Sequence, residues 1–393
     1  VPEGVPNPYN LVCRLRKSLY GLRQASRQWF DKLTDTLLLQ GYTQSRNDYS
    51  LFIYKHGTDI TILAVYVDDI ILTGSNLEHI QSVKQDLHDK FSIKDLGVLH
   101  YFLGIEVTYF TDGIVMSQNK FTKELLQGCN MDLSKRAVTP LPIHLKLHAD
   151  DGDLLSDPET YRSHVGKLNF LTNTRPDLSY TVQCLSQFMQ NPRTSHLQAL
   201  HHTLRYISST AGQGIKLQGT EKLTLQAFSN SDWASCPNTR RSVTCYVLLL
   251  GGSPISWKSK KQSTVSKSSS EAEYRAMAAA ASEVTWVVRL LEEIGVSGLS
   301  PVTLHCDNQS ALHIAKNPVF HERTKHIEVD CHFTRDKVLE GLLQLSYLPT
   351  KHQLADILTK IVPSPQLQDL CSKLGLSDSQ IPPNLREAIG SIS

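Results

Sequence analysis

No charge of one sign dominates this chain of 393 residues: 40 Lys and Arg stand against 38 Asp and Glu, a formal charge of +2. A global basic field is excluded, so nucleic-acid contact would have to come from local patches. Paired cysteines are missing too. The eight cysteines (Cys13, Cys129, Cys184, Cys236, Cys245, Cys306, Cys331 and Cys371) contain no CxxC, which argues against structural zinc. Scattered cysteines without a secretory signal predict an intracellular, reducing compartment, cytoplasmic or nuclear. No run reaches the ~18 apolar residues of a membrane helix, so no membrane partner is expected. Internal repeats are absent. The chain opens on Val1 and reads as a piece of a longer product. At 40% hydrophobic and 20% charged residues, it has the composition of a globular protein with room for two or three domains.

What is present changes type along the chain. Trp29, Leu33 and Leu37 recur at helical spacing within residues 15–41, with Gly41 as a stop. Tyr49–Tyr54 and Ile60–Val67 read as strands joined across Lys55-His56-Gly57-Thr58, and Asp68-Asp69 precedes a third apolar run. A helix at Leu77–Leu87, a hairpin closing near Asp112-Gly113 and a helix at Lys120–Gln127 complete an α+β domain ending near residue 130. Residues 131–157 read as a linker. Residues 158–210 read as helices broken at Pro176, the last one opened by a capping box of Ser195 and Gln198. Three strands follow, Leu223–Ser229, Val243–Leu250 and Ile255–Lys258, then a long helix over Ser270–Ile294. Alternating strands and helices run on to Gln353–Lys360, predicting a mixed α/β sheet flanked by helices. The stretch from Ser377 reads as a flexible extension.

Three carboxylates fall where elements begin or end. Glu273 lies in the first turn of the long helix, Asp307 follows the strand Val302–Cys306, and Asp356 opens the last helix. Singly, each has an ordinary explanation: a capping box of Ser270 with Glu273, a turn or N-cap at Asp307, a dipole-favoured acid at Asp356. Asn230, at the end of the first of the three strands, is by itself a turn residue.

Wider blocks carry a resemblance. Ser-Asp-Trp-Ala-Ser-Cys-Pro-Asn-Thr-Arg-Arg-Ser (231–242), Ser-Ser-Glu-Ala-Glu-Tyr-Arg-Ala-Met (269–277), Cys-Asp-Asn-Gln-Ser-Ala (306–311), Arg-Thr-Lys-His-Ile-Glu-Val-Asp (323–330) and Ala-Asp-Ile-Leu-Thr-Lys (355–360) together resemble the ribonuclease H of copia-type retrotransposon Pol polyproteins. The resemblance implies two-metal hydrolysis of the RNA strand of an RNA–DNA hybrid, with Mg2+ as cofactor and Mn2+ as the alternative ion. It places the four metal-site positions on Asn230, Glu273, Asp307 and Asp356, with the first lacking its charge. Two divalent ions ~4 Å apart repel by roughly 17 kcal/mol at an effective dielectric of ~20, which clustered anions must offset. Asp232, two residues on, shares a face with Asn230 but is displaced by ~6.6 Å. A weak nuclease is therefore expected, with an active one using Asp232, or a binding remnant without cleavage, as alternatives.

The resemblance extends upstream. Lys-Ser-Leu-Tyr-Gly-Leu-Arg-Gln-Ala-Ser-Arg-Gln-Trp (17–29), Tyr-Val-Asp-Asp (66–69), Tyr-Phe-Leu-Gly-Ile-Glu-Val (101–107), Met-Ser-Gln (116–118) and Thr-Arg-Pro-Asp (174–177) resemble the reverse transcriptase of the same polyproteins. This implies metal-binding Asp68 beside Asp69, and Gln24 near the nucleotide and template. The family's other palm carboxylate and its fingers would lie upstream, so no polymerase activity is expected of this chain. The implied organisation is a partial palm over residues 1–130, a linker and helical connection over 131–217, a ribonuclease H-like domain over 218–362 and an extension over 363–393. Lys258, Lys260 and Lys261, in a loop before Glu273, and Lys267 either grip phosphates or form a solvated charged turn. His352 reads as a surface histidine, and the i, i+4 pair His326 and Asp330 as structural.

Overall fold

The structure, a computed structural model, describes residues 6, 8–9, 21–129, 131–316 and 328–378. They fall into two compact units, Val1–Gly97 with Arg289–Ser297, and Val98–Val288 with Gly298–Ser393.

In the first unit, helices α1 (Ala25–Leu39) and α2 (Leu77–Phe91) accompany strands β1 (Thr43–Gln44), β2 (Leu51–His56), β3 (Asp59–Tyr66) and β4 (Asp69–Gly74). The strands form an antiparallel sheet in sequential order. The helical spacing noted in the sequence places Leu33 and Leu37 in a core with Phe52, Leu63 and Val65 of the strands and Val83 and Leu87 of α2. Asn76 caps α2, its side chain accepting from the His79 N–H at 3.0 Å. Tyr66 pairs with Asp69, so β3 and β4 are joined across Val67 and Asp68 alone. Val67 has φ of 54°, a conformation that a β-branched side chain resists.

The second unit begins with β5 (Tyr101–Phe102), β6 (Ile105–Phe110), β7 (Gly113–Ser117) and α3 (Asn119–Gln127), followed by helices α4 (Pro158–Leu171), α5 (Ser179–Ser186) and α6 (Thr194–Ser209). Strand β8 (Gln213–Gln218) then joins β7, and the last described strand, β14 (Leu376–Asp378), joins β8, giving a sheet ordered β14-β8-β7-β6-β5. The approach of β8 to β7 is close: a Cβ on Gly113 would lie 2.1 Å from the Leu217 carbonyl oxygen.

The other sheet holds β9 (Leu225–Asp232), β10 (Val243–Leu250), β11 (Ser253–Lys261), β12 (Val302–Cys306) and β13 (Leu343–Tyr347). Its order is β11-β10-β9-β12-β13, with β10 antiparallel to both neighbours and β12 parallel to both of its own. Helices α7 (Ser269–Glu293), α8 (Gln309–Lys316), α9 (Glu328–Leu339) and α10 (Ser364–Lys373) complete the fold. This is the ribonuclease H-like mixed sheet flanked by helices that the sequence pattern predicted. Its first strand is central, and Ala227 to Ser231 of β9 are all buried.

The connecting helices share a core with this sheet: Leu168, Leu185 and Leu204 cluster with Val247 and Leu358. Residues 131–157 contribute Ala137, Leu141 and Leu147 to it. Where Pro176 breaks the helices, buried Arg175 pairs with Asp177 at 2.7 Å, and Asp177 accepts from the Tyr206 hydroxyl at 2.8 Å. Ser195 is not a cap: its hydroxyl donates to the Asp151 carbonyl, because residues 149–152 cross the start of α6 and are held there by Arg193. Ser377 and Asp378, read as the start of an extension, are in β14. Residues 379–393 lie outside the described residues.

Candidate metal centre

The centre lies where β9 and β12 end, and each strand delivers its polar residue from an apolar run. Asn230 sits inside β9, paired with Cys245 of β10, so it is not a turn residue. Its side-chain N–H donates to the Asp356 carboxylate and, at 3.3 Å, to the Thr359 hydroxyl. One residue on, the Ser231 N–H donates to Glu273 at 2.9 Å. Cys306 and Asp307 come from the end of β12. One ligand atom from each of Glu273, Cys306 and Asp307 lies within 4.8 Å of the others.

Helix α7 begins at Ser269, so Ser268 and Glu271 form the cap: the Glu271 N–H donates to the Ser268 hydroxyl at 3.2 Å, and the Lys267 N–H to the Glu271 carboxylate at 2.7 Å. Glu273 is released from capping and turns inward. Asn308, not Asp307, caps α8, accepting from the Ala311 N–H at 2.9 Å. Asp307 instead accepts from the Thr350 hydroxyl at 2.9 Å. Asp356 lies in a 3-10 turn, Leu354–Leu358, where an α-helix was expected. It is buried and pairs with Lys360 at 2.8 Å.

Burial governs the electrostatics, and neighbouring charges add to it. Burial, and then the charge of Asp307, push the Glu273 carboxyl up to about 8. Burial also raises Asp356, against the pull of the Lys360 ammonium. Asp232 is raised by burial and feels both Lys360 and Asp356. Burial is the larger cause in each case, and a divalent cation would favour the charged form of these carboxyls. The carboxylate oxygens of Glu273 and Asp307 suit magnesium or manganese, whereas the Cys306 thiol, pushed up by burial, stays a neutral neighbour of such a hard ion. The residues present therefore fit the metal that the resemblance implies.

The grouping of Glu273, Cys306 and Asp307 overturns the expectation of a weak nuclease. That expectation rested on counting the charge missing at Asn230, whereas these three residues already form a group able to hold a cation.

The reverse transcriptase (RNA-dependent DNA polymerase) family model matches residues 2–143. The chain is 44% identical over 375 residues to the retrovirus-related Pol polyprotein from transposon RE1 of Arabidopsis thaliana, a match covering 95% of this chain and 25% of that protein. It is 32% identical to the putative transposon Ty5-1 protein of Saccharomyces cerevisiae, over 70% of this chain and 90% of that one. The chain belongs to the copia-type retrotransposon Pol family. It spans about a quarter of the length of the RE1 and RE2 Pol polyproteins that it matches. Among solved structures, the N-terminal RNase H domain of a Mycobacterium tuberculosis protein aligns with a TM-score of 0.27 at 11% identity, over 38% of this chain and 98% of that one. A score of that size carries no argument, and the fold rests on the strand order above.

The remaining expected residues of this Pol chain lie elsewhere. Asp68 and Asp69 are exposed at the β3–β4 hairpin and Gln24 is exposed before α1, all in the first unit. Lys258, Lys260 and Lys261 are on edge strand β11 rather than in a loop, because the β10 pairing continues to Lys261. Lys261 donates to Gln187 at 2.6 Å at the border of a cleft of about 700 Å³ between β11 and helices α4 and α5, lined also by Asn169, Asn173 and Gln183. Lys267 is exposed ahead of α7, as is His352. Asp330 is half-buried in α9, and His326 lies outside the described residues. Among the described residues no helix is long and apolar enough to cross a membrane.

Sequence reading passed over Cys306 and Lys360. Cys306 ends an apolar strand and reads as core. Lys360 carried a usable signal, standing four residues after Asp356 in the same motif block.

Proposed function

We propose that this chain supplies the ribonuclease H activity of a copia-type Pol protein, cutting the RNA strand of an RNA–DNA hybrid with a divalent cation held by Glu273 and Asp307. The grouping of Glu273, Cys306 and Asp307 within 4.8 Å carries the proposal. Asp356 and Asp232 add charge beside it, and Asn230 orients Asp356. Magnesium, or manganese in its place, supplies Lewis-acid polarisation of the phosphoryl oxygen. Residues 218–362 form the nuclease portion, residues 131–217 connect it, α10 and β14 pack against the connecting segment after it, and residues 1–130 belong to the palm, with Asp68 and Asp69 its hairpin carboxylates and Gln24 toward the template. Lys258, Lys260, Lys261 and Lys267 contact phosphates of the bound duplex.

The test is cleavage of an end-labelled hybrid by the full chain with magnesium or manganese. Shortening of the RNA strand, lost in Glu273→Gln and in chelator, is the expected result. A hybrid that binds but stays whole with either ion would overturn the proposal in favour of a binding remnant.

A further inference from the structure

Beside the metal centre stands a large aromatic side chain that the cation group does not use. Trp233 directly follows β9 and is 48% exposed, two residues beyond the Ser231 N–H that holds Glu273, or ~7 Å along the chain. It is fixed from both sides. Its indole N–H donates to the Ser266 carbonyl at 3.0 Å, and the next N–H, of Ala234, donates to the Ser242 hydroxyl at 3.0 Å. Ser266 is anchored in turn: its hydroxyl donates to Gln262, whose side chain donates to the Ala272 carbonyl of α7. The ring is thus tied to the segment that leads into the helix carrying Glu273. On either side of buried Ser266 stand Val265, 51% exposed, and Lys267, also exposed, its N–H fixed by Glu271.

We propose that Trp233, with Val265, is a platform for the sugar faces of the hybrid's wide, shallow minor groove, and that Lys267 takes a neighbouring phosphate. The inference rests on the hybrid reading above and names how that site grips its duplex. An A-form minor groove presents riboses and 2′-hydroxyls to side chains. A held indole offers apolar area at low conformational cost, flanked here by a cation that suits the backbone. Covering the exposed half of the indole removes roughly 100 Å² from water, equivalent to at most about 60-fold in affinity.

The test is binding of a labelled hybrid by the full chain in calcium, across a salt series. Trp233→Ala should weaken binding about tenfold or more with an unchanged salt slope, Trp233→Phe should recover most of the loss, and Lys267→Ala should lower the slope by about one. Trp233→Ala binding within about twofold of wild type overturns the inference. Should that variant not fold, acrylamide quenching decides. Hybrid must shield an indole in the wild type that Trp233→Phe lacks, and equal quenching with and without hybrid overturns the inference. A wild-type chain that binds no hybrid removes the function proposal as well, whereas intact wild-type binding with an indifferent Trp233 removes this inference alone.

Discussion

Replacing Glu273 by Gln should flatten the dependence of stability on pH between about 5 and 8, because that carboxyl is lifted from 4.5 to about 8 in the fold. At about 1.4 kcal/mol per pH unit, a rise from 4.5 to about 8 amounts to roughly 5 kcal/mol. The sign follows from proton counting. Between the two values the folded chain keeps a proton that the unfolded chain has lost, so stability is full below about 4.5 and declines as pH rises through about 8. Asp356 and Asp232 are also raised and add slopes of the same sign, so the informative quantity is the difference between wild type and Glu273→Gln. Glutamine retains an oxygen for the Ser231 N–H and removes only the charge. The measurement is the urea midpoint of both proteins across this range in chelator. Magnesium should reverse the trend in the wild type: a cation competes with the proton, binds more tightly as pH rises, and stabilises in proportion to occupancy. Equal pH slopes for wild type and variant in chelator would refute the burial of Glu273 beside Asp307 that raises its carboxyl.

Asn230→Asp should lower stability without metal by about 2–3 kcal/mol, since a donor to buried Asp356 becomes a like charge, and magnesium should restore more stability to it than to wild type. Thermal unfolding with and without the ion checks this, and equal metal-free stability would count against it. Arg175→Ala should cost about 3–5 kcal/mol in urea unfolding, because it leaves Asp177 buried without its ion-pair partner. Val67→Gly should stabilise the first unit by about 1 kcal/mol by releasing the φ of 54°, read from its denaturation midpoint against wild type.

Most of the central sheet was legible because its strands announce themselves by apolar runs between turn residues. Strand β8 was not: it is short and polar and directly follows the helical stretch that ends near residue 210, and Gly214 lets it lie against β7, where a Cβ would stand 2.3 Å from the Met116 carbonyl oxygen. The phase of α7 was equally hidden. The run of Ser268, Ser269 and Ser270 offers two frames for a capping box, and Ser270 with Glu273 fits the pattern as well as Ser268 with Glu271. Only the folded loop, with the Gln262 amide bonded to the Ala272 carbonyl, fixes the start and decides which glutamate points inward. Local spacing specifies that a cap exists, and long-range contacts specify which one.

Asn230 shows why counting charges misled the reading of the site. In the sequence it is an acid's place taken by a neutral side chain, and the deduction was a loss. In the fold, an amide does what a carboxylate cannot: it donates, to Asp356 and to Thr359, from within the central strand. With Lys360 on its other oxygen, Asp356 has a partner at each end while almost wholly enclosed. The cation group of Glu273, Cys306 and Asp307 does not pass through residue 230 at all. The amide at residue 230 therefore alters how Asp356 is held and leaves in place the group able to hold a cation.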